Sequence, residues 1–193
     1  LSANQFTANF KGLPNVPSCC PTYSSGSGNG LMAGVMAALS IADKLELGLR
    51  LGYQNIGGTL LATESETVDN GQMVSGVFEH TITTSMGLLG LEPMVEYHLM
   101  KGLTMRGGIL AGIPLGGNFT QQERIIAPQT LVYTENGQKN RLNYSGTLPD
   151  ASTLLAALTF GVSYAVPMNT NESLHLVPEA SGALGLTDVI TRR

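Results

Sequence analysis

The stretch LELGLRLGY, residues 45–53, decides the fold. Its apolar side chains recur at every second position from Leu45 to Tyr53, and Glu46 and Arg50 lie between them. Successive side chains of a β-strand point to opposite faces, whereas a helix would scatter these leucines around its circumference. The stretch therefore predicts a β-strand with one apolar and one polar face.

The same alternation recurs along the chain. It is present at 30–41, 89–99, 103–115, 154–166 and 174–186, and 4–10 is a candidate first strand. These lengths match the roughly 9–11 residues of a tilted transmembrane strand, whereas strands of soluble proteins have about 5–6. Short turns are predicted at 42–44, 100–102 and 167–173, and the segments 57–76 and 118–150 read as long polar loops. Transmembrane barrels show this asymmetry, with short turns facing the periplasm and long loops outside.

Composition narrows the protein class. Only 12% of the 193 residues are charged, against about 25% in soluble domains, and the mean hydropathy is +0.12. No apolar run reaches the roughly 18 residues of a transmembrane helix. The net charge of −4 argues against a nucleic-acid partner. Cys19 and Cys20 are adjacent and cannot form a CxxC motif, and their redox state stays open.

The alternation, the loop asymmetry and the glycine usage resemble those of small bacterial outer-membrane β-barrels, in particular the OmpA-type transmembrane domain. The resemblance implies an all-β, antiparallel up-and-down transmembrane β-barrel of eight strands, a single domain over 1–193, located in the bacterial outer membrane. It implies a structural or anchoring role, with long polar loops displayed at the cell surface. About seven strands are counted, whereas single-chain bacterial barrels have even numbers. Either a last strand follows Arg193 or the first strand is assigned wrongly.

The resemblance also sets the expected partners. These are outer-membrane lipid, surface ligands bound through the loops, and peptidoglycan through a domain beyond Arg193. No cofactor and no metal are expected. The apolar face should contact lipid through Leu47, Leu49, Leu51, Val95, Ile109, Ile113, Leu158, Val162 and Leu176.

The polar face predicts an interior ion pair. If 100–102 is a turn that places Leu99 opposite Leu103, counting back places Glu96 opposite Arg106. Because a narrow barrel cannot cheaply hold an unpaired charge, we expect a lumen filled by salt bridges. The other predicted lumen-facing residues are Glu46, Arg50, Glu92, His98, His175 and Glu179.

Three alternatives remain open at this point. One is a small pore through the charged lumen, and another is a secreted soluble β-sandwich that binds ligands. The third is a lipid hydrolase using His80, His98 or His175 as base, Ser85 or Ser163 as nucleophile, and Glu92 or Glu96 as orienting group. No GxSxG or HExxH motif supports this set, so we predict that the chain is not an enzyme.

The phase of the alternation changes near 87–90. From Leu89 onward the apolar residues are odd-numbered, whereas Ile82, Met86 and Leu88 are even-numbered. One inserted residue reverses the facing of a strand, so a β-bulge near 87–90 would reconcile the two parts. Alternatively, the earlier part stands clear of the membrane.

Overall fold

The computed structural model describes residues 1–13, 22–69, 71–171 and 173–190, and within them all regular secondary structure is β-strand. The strands are β1 (Ser2–Phe10), β2 (Tyr23–Gly30), β3 (Met32–Ala42), β4 (Leu45–Asn55), β5 (Gly58–Asp69), β6 (Met73–Met100), β7 (Leu103–Ala127), β8 (Asn140–Thr147), β9 (Leu155–Tyr164), β10 (Val166–Pro167), β11 (His175–Leu176) and β12 (Glu179–Gly185).

The main sheet is an antiparallel meander with seven strand positions, some of which are occupied by two strands end to end. β4 and β5 lie end to end along one edge of β6, and β9 and β8 lie end to end along the far edge of β7. β2 and β3 likewise continue each other, because β2 pairs with β5 and β3 with β4. β1 pairs with β2 at one end, and β12 pairs with β9 at the other. The chain thus has the predicted up-and-down antiparallel order.

The sheet curls but keeps two free edges. Across the described residues β1 and β12 are the end strands and do not pair with each other, and β3 pairs with β4 alone. The sheet therefore has seven strand positions across the described residues, whereas eight strands were predicted. Within hydrocarbon an open sheet edge leaves backbone groups unsatisfied. In a bilayer the free edges of β3 and β12 therefore require hydrogen-bonding partners.

From Met73 to Tyr97, β6 runs through both parts of the molecule without a bulge. Its pairing with β4 and then β5 keeps one register from Tyr97 to Met73, and its even-numbered residues face inward throughout. The extra residue lies on β7, where Gly116 and Gly117 adopt φ of +68° and +153° between the partners of Ser85 and Gly87. The predicted bulge on the β6 segment is therefore wrong.

The molecule has two halves, and the apolar face of the sheet is the outer one in the lower half and the inner one in the upper half. In the lower half, formed by β3, β4, β9, β12 and residues 87–115, the outer face is apolar and exposed. Eight of the nine residues predicted to face lipid are exposed there, and the ninth, Leu176, is exposed in the separate β10–β11 hairpin. A soluble β-sandwich would bury this face in a second sheet, whereas the apolar side chains of the ten-stranded sheet are exposed, so the sandwich alternative is wrong.

The upper half is built of strands where the sequence predicted long loops. Within 57–76, residues 58–69 form β5 and residues 73–76 begin β6, and residues 118–150 include the end of β7 and all of β8. Thr, Asn, Gln and Glu looked like loop composition, but threonine is among the residues that favour strands. A buried apolar cluster fills the inside of this half: Leu13, Tyr23, Leu60, Ile82, Met86, Phe119 and Leu148.

Candidate functional site in the lumen

The lower lumen carries a connected set of charged side chains. Inward-facing positions of four strands supply them, because each strand alternates its polar residues toward the interior. Three glutamates and two arginines form the set: Arg50, Glu92, Glu96, Arg106 and Glu179. We call it the lumen network. Its formal charge is −1, from two arginines and three glutamates.

Glu96 and Arg106 are direct register partners on β6 and β7. Glu96 Oε1 lies 3.6 Å from Arg106 Nη1, and only 8% and 6% of the two side chains are exposed. Gly102, with φ of +83°, makes the tight turn between the strands. This is the register from which the pair was predicted, although at the turn itself Met100, not Leu99, pairs with Leu103.

Glu179 joins the two arginines across the lumen. Arg50 Nη2 lies 3.2 Å from Glu179 Oε2, and the other Glu179 oxygen contacts Arg106 Nη2. Arg50 also contacts Glu92, with Nη1 to Oε2 at 3.4 Å. β4 and β12 are separated in the sheet by β6, β7 and β9. The Arg50 to Glu179 contact therefore crosses the interior and shows how far the sheet has curled.

A second polar group lies toward the short turns. His98 Nε2 is 3.4 Å from Glu46 Oε1, which also accepts a hydrogen bond of 2.7 Å from Ser40 Oγ. Thr104 Oγ1 lies 2.9 Å from His98 Nδ1. Glu46 and His98 thus lie where the sequence placed them, at the lower end of the lumen.

His175 does not join the lumen residues. It lies in the small β10–β11 hairpin, paired with Pro167, and is exposed. The alternation that predicted an inward position does not hold there, because this hairpin is a separate two-stranded sheet. The prediction that His175 faces the lumen is wrong.

Glycines make room for the interior side chains. Gly34, Gly52, Gly90 and Gly112 form one rung of register partners across β3, β4, β6 and β7. A Cβ on Gly161 would lie 3.0 Å from Arg106 Nε, so this glycine leaves space for the guanidinium. A cavity of about 660 Å³ adjoins the lumen network; Leu88 and Leu110 line it, and so do residues of the free strands β3 and β12.

The residues proposed for hydrolysis are dispersed. His80 lies in the upper half, with Nε2 3.0 Å from Glu64 Oε1, whereas His98 lies at the lower end of the lumen. Ser85 is on the exposed outer face. Ser163 is two strands from His98, with Thr104 between them, which is about 10 Å. The structure does not bring these groups into one catalytic set.

Sequence reasoning missed a buried polar cluster in the upper half. Glu123 is 1% exposed, and its Oε1 accepts hydrogen bonds from Tyr133 Oη at 2.7 Å and Arg141 Nε at 2.8 Å. His80 Nδ1 lies 3.9 Å from the other Glu123 oxygen. No pattern in the sequence pointed to this cluster, because Tyr133 and Arg141 lie in a segment that was predicted to be a loop.

Burial and hydrogen bonding shift two groups of this cluster. Burial and the hydrogen bond to Glu123 raise the pKa of Tyr133 above its ordinary value of 10. Burial lowers the pKa of the Arg141 guanidinium, but the hydrogen bond to Glu123 and the negative charge of Glu123, with smaller contributions from Tyr133 and Glu135, together outweigh it and raise the pKa. The cluster therefore holds a neutral tyrosine and a charged arginine on one buried carboxylate.

The described residues contain neither a metal site nor a membrane-spanning helix. No group of three or more His, Cys, Asp or Glu side chains there is placed to hold a metal ion. No helix among them is long and apolar enough to cross a membrane. Cys19 and Cys20 lie outside the described residues.

Comparison with known proteins agrees with the fold. A family model described as "Outer membrane protein beta-barrel domain" matches residues 3–191. No curated protein and no solved structure matches the chain. The match spans nearly the whole sequence, and the exposed apolar belt over a polar lumen is the arrangement such a barrel requires. The chain therefore belongs to the outer membrane protein β-barrel domain family and is a protein of the bacterial outer membrane.

Proposed function

We propose that this barrel has a structural role: its own side chains block the lumen, and it holds a folded β-sheet above the membrane. The observation that carries the proposal is the bridge from Arg50 through Glu179 to Arg106. These contacts join strands on opposite sides of the interior. Because each arginine contacts two carboxylates, every charged side chain of the network has an oppositely charged partner, and the net formal charge is only −1.

A second obstruction lies in series with the first. The apolar cluster around Ile82, Met86 and Phe119 fills the inside of the upper half, and Ile82 is fully buried. An ion that passed the lumen network would have to cross this apolar core without water, which is costly. The two layers together favour a barrel with a blocked lumen over a pore.

Conductance in planar bilayers tests the proposal. The wild-type chain is expected to give no conductance steps, and so is the variant Glu179→Gln, because the apolar core still blocks the path. The matched variant Ile82→Ser, made in the Glu179→Gln background, opens both layers and is the arm in which steps are expected. Steady conductance by the wild-type chain would refute a closed structural barrel and favour the pore.

Anchoring is the second part of the proposal. The upper half offers a rigid sheet rather than flexible loops as the surface that would meet extracellular ligands. The contact with peptidoglycan, which needs a domain beyond Arg193, stays a prediction.

We also infer that the chain is not a hydrolase, and the variant Ser163→Ala tests this. If phospholipid hydrolysis were present and lost in that variant, the chain would be an enzyme.

A further inference from the structure

A row of hydroxyl and amide side chains crosses six strands on the outer face of the upper half. Register pairing links its members one after another from β1 to β8. They are Gln5, Ser27, Thr59, Thr83, Thr120 and Ser145. Thr59 is half-buried and the others are exposed, and Thr59 Oγ1 lies 3.2 Å from Thr83 Oγ1. The row forms a nearly continuous line of hydrogen-bonding groups around the outside of the barrel.

The rows directly above and below have the same chemistry. The lower row contains Asn29, Ser85, Asn118 and Thr147 with Ala3, and the upper row contains Thr7, Ser25, Thr81 and Gln122 with Leu61. None of the sixteen residues in the three rows is charged. We call these three rows the hydroxyl band. Charges return only in the next row up, where Glu79 is paired with Arg124.

The hydroxyl band adjoins the lipid-facing belt without a gap. Leu89 and Ile113 form a row of the belt with Tyr53, and the exposed Leu115, paired with Gly87 one row higher, ends the belt. The Tyr53 ring leans upward over Gly87, where an added Cβ would lie 2.7 Å from the tyrosine hydroxyl. Tyrosine is enriched at the boundary between hydrocarbon and headgroups. The next outward row above Gly87 contains Ser85 and Asn118, so the band begins where the hydrocarbon ends.

The height of the band fits the headgroup layer. Three rows along a strand span about 13 Å, and strand tilt shortens this to about 10 Å along the membrane normal. The polar layer on each side of a bilayer is about 5–8 Å thick by comparison of total and hydrocarbon thickness. Larger headgroups would fill the rest of the band.

The chemistry of the band selects among headgroups. Phosphates are bound by Lys and Arg, and the band has none. A sugar ring offers several neutral hydroxyls at once, and adjacent strands present partners about 4.8 Å apart. We propose that the hydroxyl band binds the uncharged sugar headgroups of membrane glycolipids next to the barrel. This interaction depends on the outer-membrane location and not on whether the lumen is closed.

Lipid competition at the barrel surface tests the proposal. The chain has no Trp and six Tyr, so tyrosine emission reports on the lipid that touches the barrel. The chain is reconstituted in phosphatidylcholine vesicles that contain increasing amounts of galactosyl diacylglycerol with brominated acyl chains. Quenching relative to brominated phosphatidylcholine gives the preference for the galactolipid. We expect a preference of about threefold to tenfold, the size of one or two net hydrogen bonds.

Matched valine variants separate the band from the rest of the sheet. Thr83→Val with Thr120→Val removes two hydroxyls of the middle row and should abolish the preference, so that the galactolipid and phosphatidylcholine bind about equally. Thr63→Val with Thr67→Val changes two outward residues higher on the same sheet and should leave the preference unchanged. Valine keeps the shape of threonine and favours strands, so both variants should fold, which circular dichroism checks.

Three outcomes would overturn the proposal. One is a wild-type preference of about one, which would make the band only a polar rim. Another is an equal loss in both double variants. The third is a stronger preference for brominated phosphatidylglycerol than for the galactolipid, which would mean that charge, not sugar, selects the lipid.

Discussion

Replacing Arg106 should destabilise the barrel more than any other single change in the lumen network. Arg106 contacts Glu96 and Glu179, and its side chain is 6% exposed. The variant Arg106→Met keeps most of the volume and removes the charge. Arg50 then remains as the one cation of the network against Glu92, Glu96 and Glu179, so its formal charge changes from −1 to −2.

The size of the effect follows from burial. Glu96 is 8% exposed and loses the one cation it contacts in the network, and removing a partner from a buried pair costs about 3–5 kcal/mol. Glu179→Gln should cost much less, about 1 kcal/mol, because Glu179 is 25% exposed and each arginine keeps another glutamate. Adding Glu96→Gln to Arg106→Met should restore most of the loss, since the stranded carboxylate becomes neutral.

Urea unfolding in lipid vesicles measures these differences. Far-ultraviolet circular dichroism follows the β-structure, and the midpoint and slope give the free energy of unfolding. The expected order of stability is wild type, Glu179→Gln, the double variant, then Arg106→Met. If Arg106→Met and the double variant were equally destabilised, the stranded charge would not be the cause, and the loss would come from packing alone.

Three other outcomes are expected. Leu49→Arg on the lipid-facing side of β4 should cost about 2–4 kcal/mol in vesicles, whereas Ser163→Ala on the lumen side should stay within about 0.5 kcal/mol; equal losses would mean that the faces are misassigned. In an alkaline absorbance titration, the ionisation of Tyr133 should lie above pH 10. Because its folded pKa is raised, its contribution to stability is present below pH 10 and is lost as the pH rises further, and Glu123→Gln should move this ionisation to lower pH. Gly102→Ala, which forces a side chain to φ of +83° and within 3.0 Å of the Ala165 oxygen, should cost about 1–3 kcal/mol in the same urea assay.

The sequence predicted the lower half well because lipid enforces a strict pattern there. Outward positions must be apolar, so the leucines of β4 mark its facing, and a single turn then fixes the register that opposes Glu96 and Arg106. The same logic could not place Glu179 against Arg50, since that contact depends on how tightly the whole sheet curls. Contacts between neighbouring strands follow from local pattern, and contacts across the lumen do not.

The upper half was misread because two environments give opposite patterns on one strand. Along β6 the inward residues are Ile82 and Met86 above, and Glu92 and Glu96 below, with no change in facing. Water outside the upper half drives apolar residues inward, whereas lipid outside the lower half drives them outward. A reversal of the apolar phase on a regular strand therefore marks the level at which the strand leaves the hydrocarbon. For this chain that level falls between Ser85 and Leu89, where the Tyr53 ring lies over Gly87. The boundary read from polarity and the boundary read from the tyrosine agree, and each could have failed independently of the other.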